Sequence, residues 1–251
     1  GRTSAAVAAT DNPKIIAPIN AQQEVETLAL GDLDGLEKSL SKNDVCAVII
    51  EFIQGVGGLD ESTAAFYEGI GNLCKKYNTC FIADEVQSGF GRTGDFFAFQ
   101  KYNVTPDIIS IAKGMGNGFP VGGILVHPGI KASFGLLGTT FGGNHLACVA
   151  VLTVLKVIEK ERLLQNTLEV STHFLRKSLT VPKLKTVKGR GLMLGLEFEF
   201  PIAELRKKLI YKHNIFTGSA KNPNLLRILP PLTIKKEHLD LFFEALISEL
   251  S

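Results

Sequence analysis

Residues 80–120 read CFIADEVQSGFGRTGDFFAFQKYNVTPDIISIAKGMGNGFP, and the pattern is strand, glycine loop, helix, strand, glycine loop. The apolar runs CFIAD and DIISIA are short and bounded by turn residues, as buried parallel strands are. Asp95 can cap a short helix over residues 95–102, DFFAFQKY, supplying the crossover that parallel strands need. The first strand ends in a carboxylate, Asp84, and the second in an amine, Lys113, followed by Gly114, Gly116 and Gly118. Both charged groups then fall at the carboxyl edge of one sheet, where open α/β folds bind ligands.

A lysine at the end of an apolar strand is partly removed from water, which favours a neutral, nucleophilic amine. Such an amine condenses with aldehydes. A nearby aspartate can keep a pyridine nitrogen protonated through a charge-assisted hydrogen bond. The two together suit pyridoxal phosphate, the lysine taking the aldehyde and the aspartate keeping the ring an electron sink. A period of two puts Val86 on the strand face of Ile82 and Asp84, where an apolar side chain would support the ring. Plainer readings stand beside this one: Lys113 as a solvated residue opening a loop, and Asp84 as a loop cap. A third is Gly89-Phe90-Gly91-Arg92-Thr93-Gly94, a GxGxxG run after a strand and hence a candidate dinucleotide-binding module. That match is weak, because residues 85–88 intervene before the first glycine and no acidic residue follows at the usual distance on a second strand end.

DEVQSGFGRTG, then PDIISIAKGMGNGFPVGG, then GTTFGGNHLAC together resemble the class III pyridoxal-phosphate aminotransferases of fold type I. The similarity is greatest to acetylornithine, succinylornithine and ornithine aminotransferases, and it runs from Gly1 to near the C-terminus. It implies an α/β fold with a mostly parallel sheet, helices on both faces and a small C-terminal α+β domain. It also implies that Lys113 carries the cofactor covalently, Asp84 contacts the pyridine nitrogen, Val86 the ring face and Gln87 the ring hydroxyl. Thr140 would reach the cofactor phosphate of a neighbouring subunit, making a homodimer. Arg227 would take the α-carboxylate of glutamate, and Glu51 would wall the site. The implied reaction moves the terminal amino group of an N-acylornithine or ornithine to 2-oxoglutarate, in arginine-type metabolism. Alternatives are another ω-amino donor or an aminomutase on the same cofactor, or a non-catalytic part of a larger assembly. In the family, GRT follows an aromatic residue over the ring; here GRT opens the chain, so a C-terminal portion of a longer enzyme is expected.

Composition sets limits. The 251 residues are 45% hydrophobic with a net charge of +2, enough for a sizeable core. So small a charge does not point to nucleic acid or an anionic membrane as partner. Cys46, Cys74, Cys80 and Cys148 lie in or beside apolar runs without metal spacing, so buried reduced thiols and the cytoplasm are expected. The longest apolar-rich run is too short to span a bilayer. The histidines show no metal spacing.

Elsewhere, residues 11–26 read as irregular and 32–40 as a helix. Residues 44–52 read as a buried strand ending near Glu51, leading into the loop IQGVGG. There the family usually has a proline after the glutamate and a second glutamate in the loop; this chain has Phe52 and Val56. Val56 cannot mask Arg227, so that arginine is expected to stay available for anions. Residues 61–77 read as an amphipathic helix and 121–126 as a strand, antiparallel by the resemblance. Residues 145–164 read as one long helix. With residues 1–160 as part of a large domain, 161–251 form the small one. It holds a strand–turn–strand over 187–200 with Leu194, Leu196 and Phe198 alternating against Glu197, a helix over 202–213, a strand over 225–229 and a helix over 236–250. Arg227, inside the apolar run LLRIL, needs an anionic partner if buried, and its planar fork suits a carboxylate. The plainer reading is a structural ion pair or an exposed strand position.

Overall fold

The structure, a computed structural model, describes residues 4–10, 12–21, 24–135 and 138–250. Two sheets organise them. In the first, β1 (Ala47–Ile50), β2 (Cys80–Asp84) and β3 (Ile108–Ile111) are parallel, and β4 (Gly123–Val126) closes the order β1-β2-β3-β4 antiparallel to β3. In the second, β5 (Leu184–Arg190), β6 (Met193–Phe198), β7 (Gly218–Ser219) and β8 (Leu225–Ile228) pair antiparallel in the order β5-β6-β8-β7.

Helices α1 (Ser4–Ala8), α2 (Leu33–Leu40) and α3 (Ala64–Lys76) precede β2. Asp32 starts α2 by accepting from the Gly35 amide at 2.8 Å, and Thr63 starts α3 through Phe66 at 3.2 Å. These caps satisfy amides that the first turn leaves free. Leu36, Leu40, Phe66, Tyr67 and Ile70 then bury against Phe52 and Phe81 of the sheet layer. Helices α4 (His145–Lys160), α5 (Leu163–Ser178), α6 (Ala203–His213) and α7 (Lys236–Leu250) follow. Phe174 of α5 and Phe242, Phe243 and Leu246 of α7 pack on Leu194, Leu196 and Phe198 to form the second core.

Several expectations need correction. No α-helix fills residues 95–102; only a 3-10 turn, Ala98–Lys101, is present. The buried Glu85 carboxylate accepts from the amides of Ala98 (3.0 Å) and Phe99 (2.9 Å) and from Ser88 Oγ (2.6 Å), doing for this crossover what helical hydrogen bonds do elsewhere. The helix expected over 145–164 stops at Lys160, and Arg162 takes a left-handed backbone (φ +51°) before α5, an element the sequence reading passed over. Glu197 does not face water. It is buried and paired with Lys185 (3.0 Å) and Lys188 (3.2 Å), because the other face of β6 also lies against the protein. Of the cysteines, all free, only Cys74 is buried; Cys46 and Cys148 are exposed. The run Gly89–Gly94 opens no helix. Gly91 and Gly94 have φ of +83° and +97°, and a Cβ on Gly94 would strike Leu168. These glycines serve packing, which removes the structural context a dinucleotide fingerprint needs.

The two sheet layers meet along a seam. Ile53 and Leu59, in the loop after β1, bury with Met193 and Leu225. Arg92 Nη1 donates to the carbonyls of Leu192 and Pro230, and Leu192 N donates back to Arg92 O at 2.9 Å. Burial lowers the Arg92 guanidinium to about 10. Arg190 reaches Glu61 (3.4 Å) and Asp95 (3.5 Å), and Lys188 reaches Asp60 (2.8 Å).

Candidate active site

The parallel register Ile50↔Ala83 and Asp84↔Ser110 sets Glu51, Asp84 and Lys113 at the carboxyl ends of three adjacent strands. Lys113 opens a 3-10 turn (Lys113–Met115) with a left-handed backbone, φ +46°. A non-glycine residue held there is a strained position of the kind found at functional sites. Its Nζ donates to Gln87 Oε1 at 3.3 Å. The side chain is exposed, so the desolvation expected of it is not supplied by the described residues.

Asp84 is half-buried, and its Oδ1 accepts from the Val86 amide at 3.0 Å. That turn ends β2 at Asp84, so Val86 does not continue the strand face of Ile82 as expected. It stands beside Asp84 in the same loop as Gln87. Glu51 accepts from the Gly55 amide through both oxygens (3.2 and 3.3 Å). Burial pushes its carboxyl above the ordinary value, with the Asp84 charge adding to the rise and the Gly55 amide and Lys113 opposing it.

Arg227 comes from β8 of the other sheet, opposite Gly218 and Gly195. Contrary to the expectation that it stays clear of this loop, its Nη1 donates to the Gly55 carbonyl at 3.1 Å; it forms no ion pair among the described residues, and its buried Nε has no hydrogen-bond partner. Burial lowers its pKa, Glu51 opposes that fall and Arg206 adds to it. Val56 is exposed, so it is the backbone of this loop, not a loop side chain, that holds the arginine. Thr140 is exposed and makes no hydrogen bond with the other candidates. It lies in a stretch whose Phe134, Phe141, Leu146, Val149 and Leu152 are all exposed.

The structure thus brings Glu51, Asp84, Val86, Gln87, Lys113 and Arg227 to one edge and leaves Thr140 apart. Sequence reasoning missed Gly55, because a peptide group used as donor and acceptor leaves no mark in residue type.

An α/β sheet edge with a lysine, an aspartate and an amide on neighbouring strand ends is the setting of a cofactor-dependent transferase. The aminotransferase class-III family model matches residues 1–250, and the chain belongs to that family. It is 42% identical over 243 residues to the acetylornithine aminotransferase of Aquifex aeolicus and 38% identical over 255 residues to that of Methanocaldococcus jannaschii. Those matches cover 96% and 98% of this chain but 63% of each relative, so the chain spans about three-fifths of their length. The ornithine aminotransferase of Toxoplasma gondii superposes with a TM-score of 0.89 at 26% identity, over 99% of this chain and 61% of that one. Ornithine delta-aminotransferase of Plasmodium falciparum gives 0.80 at 33% identity, over 88% and 60%.

Pyridoxal phosphate is the cofactor of this family, and a further Toxoplasma gondii structure holds it in partial occupancy at the active site. The donor set here fits that group: an amine for the aldehyde, a carboxylate for the ring nitrogen and an amide beside the amine.

Proposed function

We propose that this chain carries the catalytic lysine of an aminotransferase that takes the terminal amino group of an N-acylornithine or ornithine, with 2-oxoglutarate as acceptor, in the cytoplasm. The observation that carries this reading is the convergence of Lys113, Gln87, Asp84 and Arg227 on one sheet edge. Lys113 would hold the cofactor's aldehyde carbon, Asp84 its pyridine nitrogen, Val86 a ring face and Gln87 the ring hydroxyl. Pyridoxal phosphate, when bound, supplies an aldehyde that condenses with amines and a ring that accepts the electrons left when a substrate proton departs.

The chain's own residues do the rest. Lys113 Nζ, as a free amine beside Gln87, would take and return the proton of the substrate carbon as general acid and base. The Asp84 carboxylate would hold positive charge on the ring nitrogen. Arg227, half-buried and held through Nη1 by a neutral carbonyl, would offer its charge to a substrate carboxylate. Glu51, whose carboxyl burial holds above its ordinary value, is held by the Gly55 amide and forms no ion pair with Arg227 among the described residues.

Assembly and division belong to the same reading. The exposed apolar stretch around Thr140, with Ile124, Leu125 and Val126 of β4 also exposed, suits a second copy of the chain. Thr140 of the partner subunit would then meet the cofactor phosphate. The break at Glu161–Arg162 suits a division into residues 1–160 and 161–251. A second reading, with another terminal-amine donor, has an omega-transaminase among the similar structures behind it. A relative in this range is the (S)-enantioselective omega-transaminase of Thermomicrobium roseum, at 30% identity and a TM-score of 0.75.

The test is borohydride reduction of the full-length protein loaded with pyridoxal phosphate, followed by peptide mapping. The label should fall on Lys113, and Lys113→Ala should lose turnover with acetylornithine and ornithine alike. Label elsewhere, or turnover surviving Lys113→Ala, refutes the assignment. Relative rates with acetylornithine, succinylornithine and ornithine then separate the donors.

A further inference from the structure

Gly55 sits where the two sheet layers share the site. Its N–H donates to both oxygens of Glu51, and its carbonyl accepts from Arg227 Nη1 at 3.1 Å. The next carbonyl, that of Val56, accepts from the Lys221 amide at 3.0 Å, so the second sheet layer grips this loop at successive peptides. On its remaining side, a Cβ built on Gly55 would lie 2.5 Å from Gln87 Oε1, the atom that accepts from Lys113 Nζ. Gly55 does not have a positive φ, so its backbone conformation is open to any residue. The three atoms nearest such a Cβ all belong to Gln87.

We propose that Gly55 is a positioning residue: its bare α-carbon seats the Gln87 amide against Lys113, and its peptide sets the angle of the Arg227 fork. The same residue then fixes both the grip on a substrate carboxylate and the posture of the lysine. A carbonyl suits this task better than a carboxylate would. It orients the guanidinium and leaves its charge for the substrate. This rests on the reading of Arg227 as the carboxylate site and Lys113 as the cofactor lysine.

The test is a double-mutant cycle in the full-length protein: wild type, Gly55→Ala, Gln87→Ala and the double variant. One readout is the affinity of the cofactor-free protein for glutarate, an unreactive dicarboxylate, by calorimetry. The other is the rate at which Lys113 takes up pyridoxal phosphate, followed by absorbance. The obstacle to the new Cβ is the end of a flexible side chain, so Gly55→Ala should fold and displace Gln87. It should weaken glutarate about tenfold, as expected for a disturbed hydrogen bond to a charged group, and slow cofactor uptake. The double variant has the space back and should match Gln87→Ala in both readouts. Unchanged glutarate affinity in Gly55→Ala, or additive losses in the double variant, overturns the proposal. If Gly55→Ala does not fold, the double variant must fold and bind as Gln87→Ala does, and its failure also overturns it. Transamination with an additive cycle sinks this inference alone. A coupled cycle without transamination sinks only the reaction.

Discussion

Glu51 is a site residue whose chemistry is altered by its place. Its carboxyl titrates above the ordinary 4.5 because burial penalises the charge, so the folded chain binds a proton there that the unfolded chain has released. The stability it contributes is full below pH 4.5 and is lost as pH rises through the raised value. Glu51→Gln keeps an acceptor for the Gly55 amide and removes the titration. Urea midpoints of the two proteins, taken across this window, should diverge so that the variant declines less with rising pH. Parallel curves would show that Glu51 ionises as freely in the fold as in water. At this scale the sequence was half legible. A carboxylate and an amine at strand ends announce themselves by type, as Asp84 and Lys113 did. The backbone hold on Arg227 did not, since nothing in the letters Gly55 and Val56 says where a carbonyl will point.

Among the elements, the crossover from β2 to β3 departs furthest from the pattern its sequence suggests. DFFAFQKY looked helical, but Phe97 and the buried Ala98 are drawn inward, and the Glu85 carboxylate captures the amides that a helix would have paired. Tertiary burial overrode a local preference, as it often does for short segments. Glu85→Ala should therefore leave several buried donors unpaired and lower stability by about 3 kcal/mol, read from urea unfolding. A loss below about 1 kcal/mol would mean that water reaches these amides.

Helix α7 offers a second check. Glu249 is held at about 2, first by His213 and then by Lys208 and Lys212 on α6. A lowered carboxylate contributes stability above its unfolded value of 4.5 and loses it as pH falls towards about 2. Glu249→Gln should flatten the acid limb of the unfolding profile in that interval and leave the decline with rising pH due to Glu51 untouched. Amphipathic helices such as α3 and α7 were plain in the sequence because their apolar faces repeat at helical spacing. The break between α4 and α5 was not, since it depends on one residue, Arg162, adopting a left-handed turn.

For the molecule as a whole, the two-layer plan followed from strand and helix patterns, whereas the seam did not, because its residues are far apart in the chain. Gly191 shows how tightly it is closed. It has φ +61°, and a Cβ there would overlap the Thr93 backbone. Gly191→Ala should destabilise by about 1–3 kcal/mol, as overpacking does. Calorimetry should then show two melting transitions as the layers part, against one in the parent protein. One undivided transition at the wild-type temperature would show that the seam yields without loss.

The loop from Ile53 to Leu59 leaves the first sheet in sequence but belongs to the second by contact, through Met193, Leu225, Arg227 and Lys221. Chimaeras inherit that mismatch. A graft of the C-terminal portion from a relative, joined near residue 160, would bring a foreign arginine to a native carbonyl. Such a hybrid should recover function only when residues 53–59 travel with the graft, so the unit of exchange in this fold is two separate segments of chain, not one.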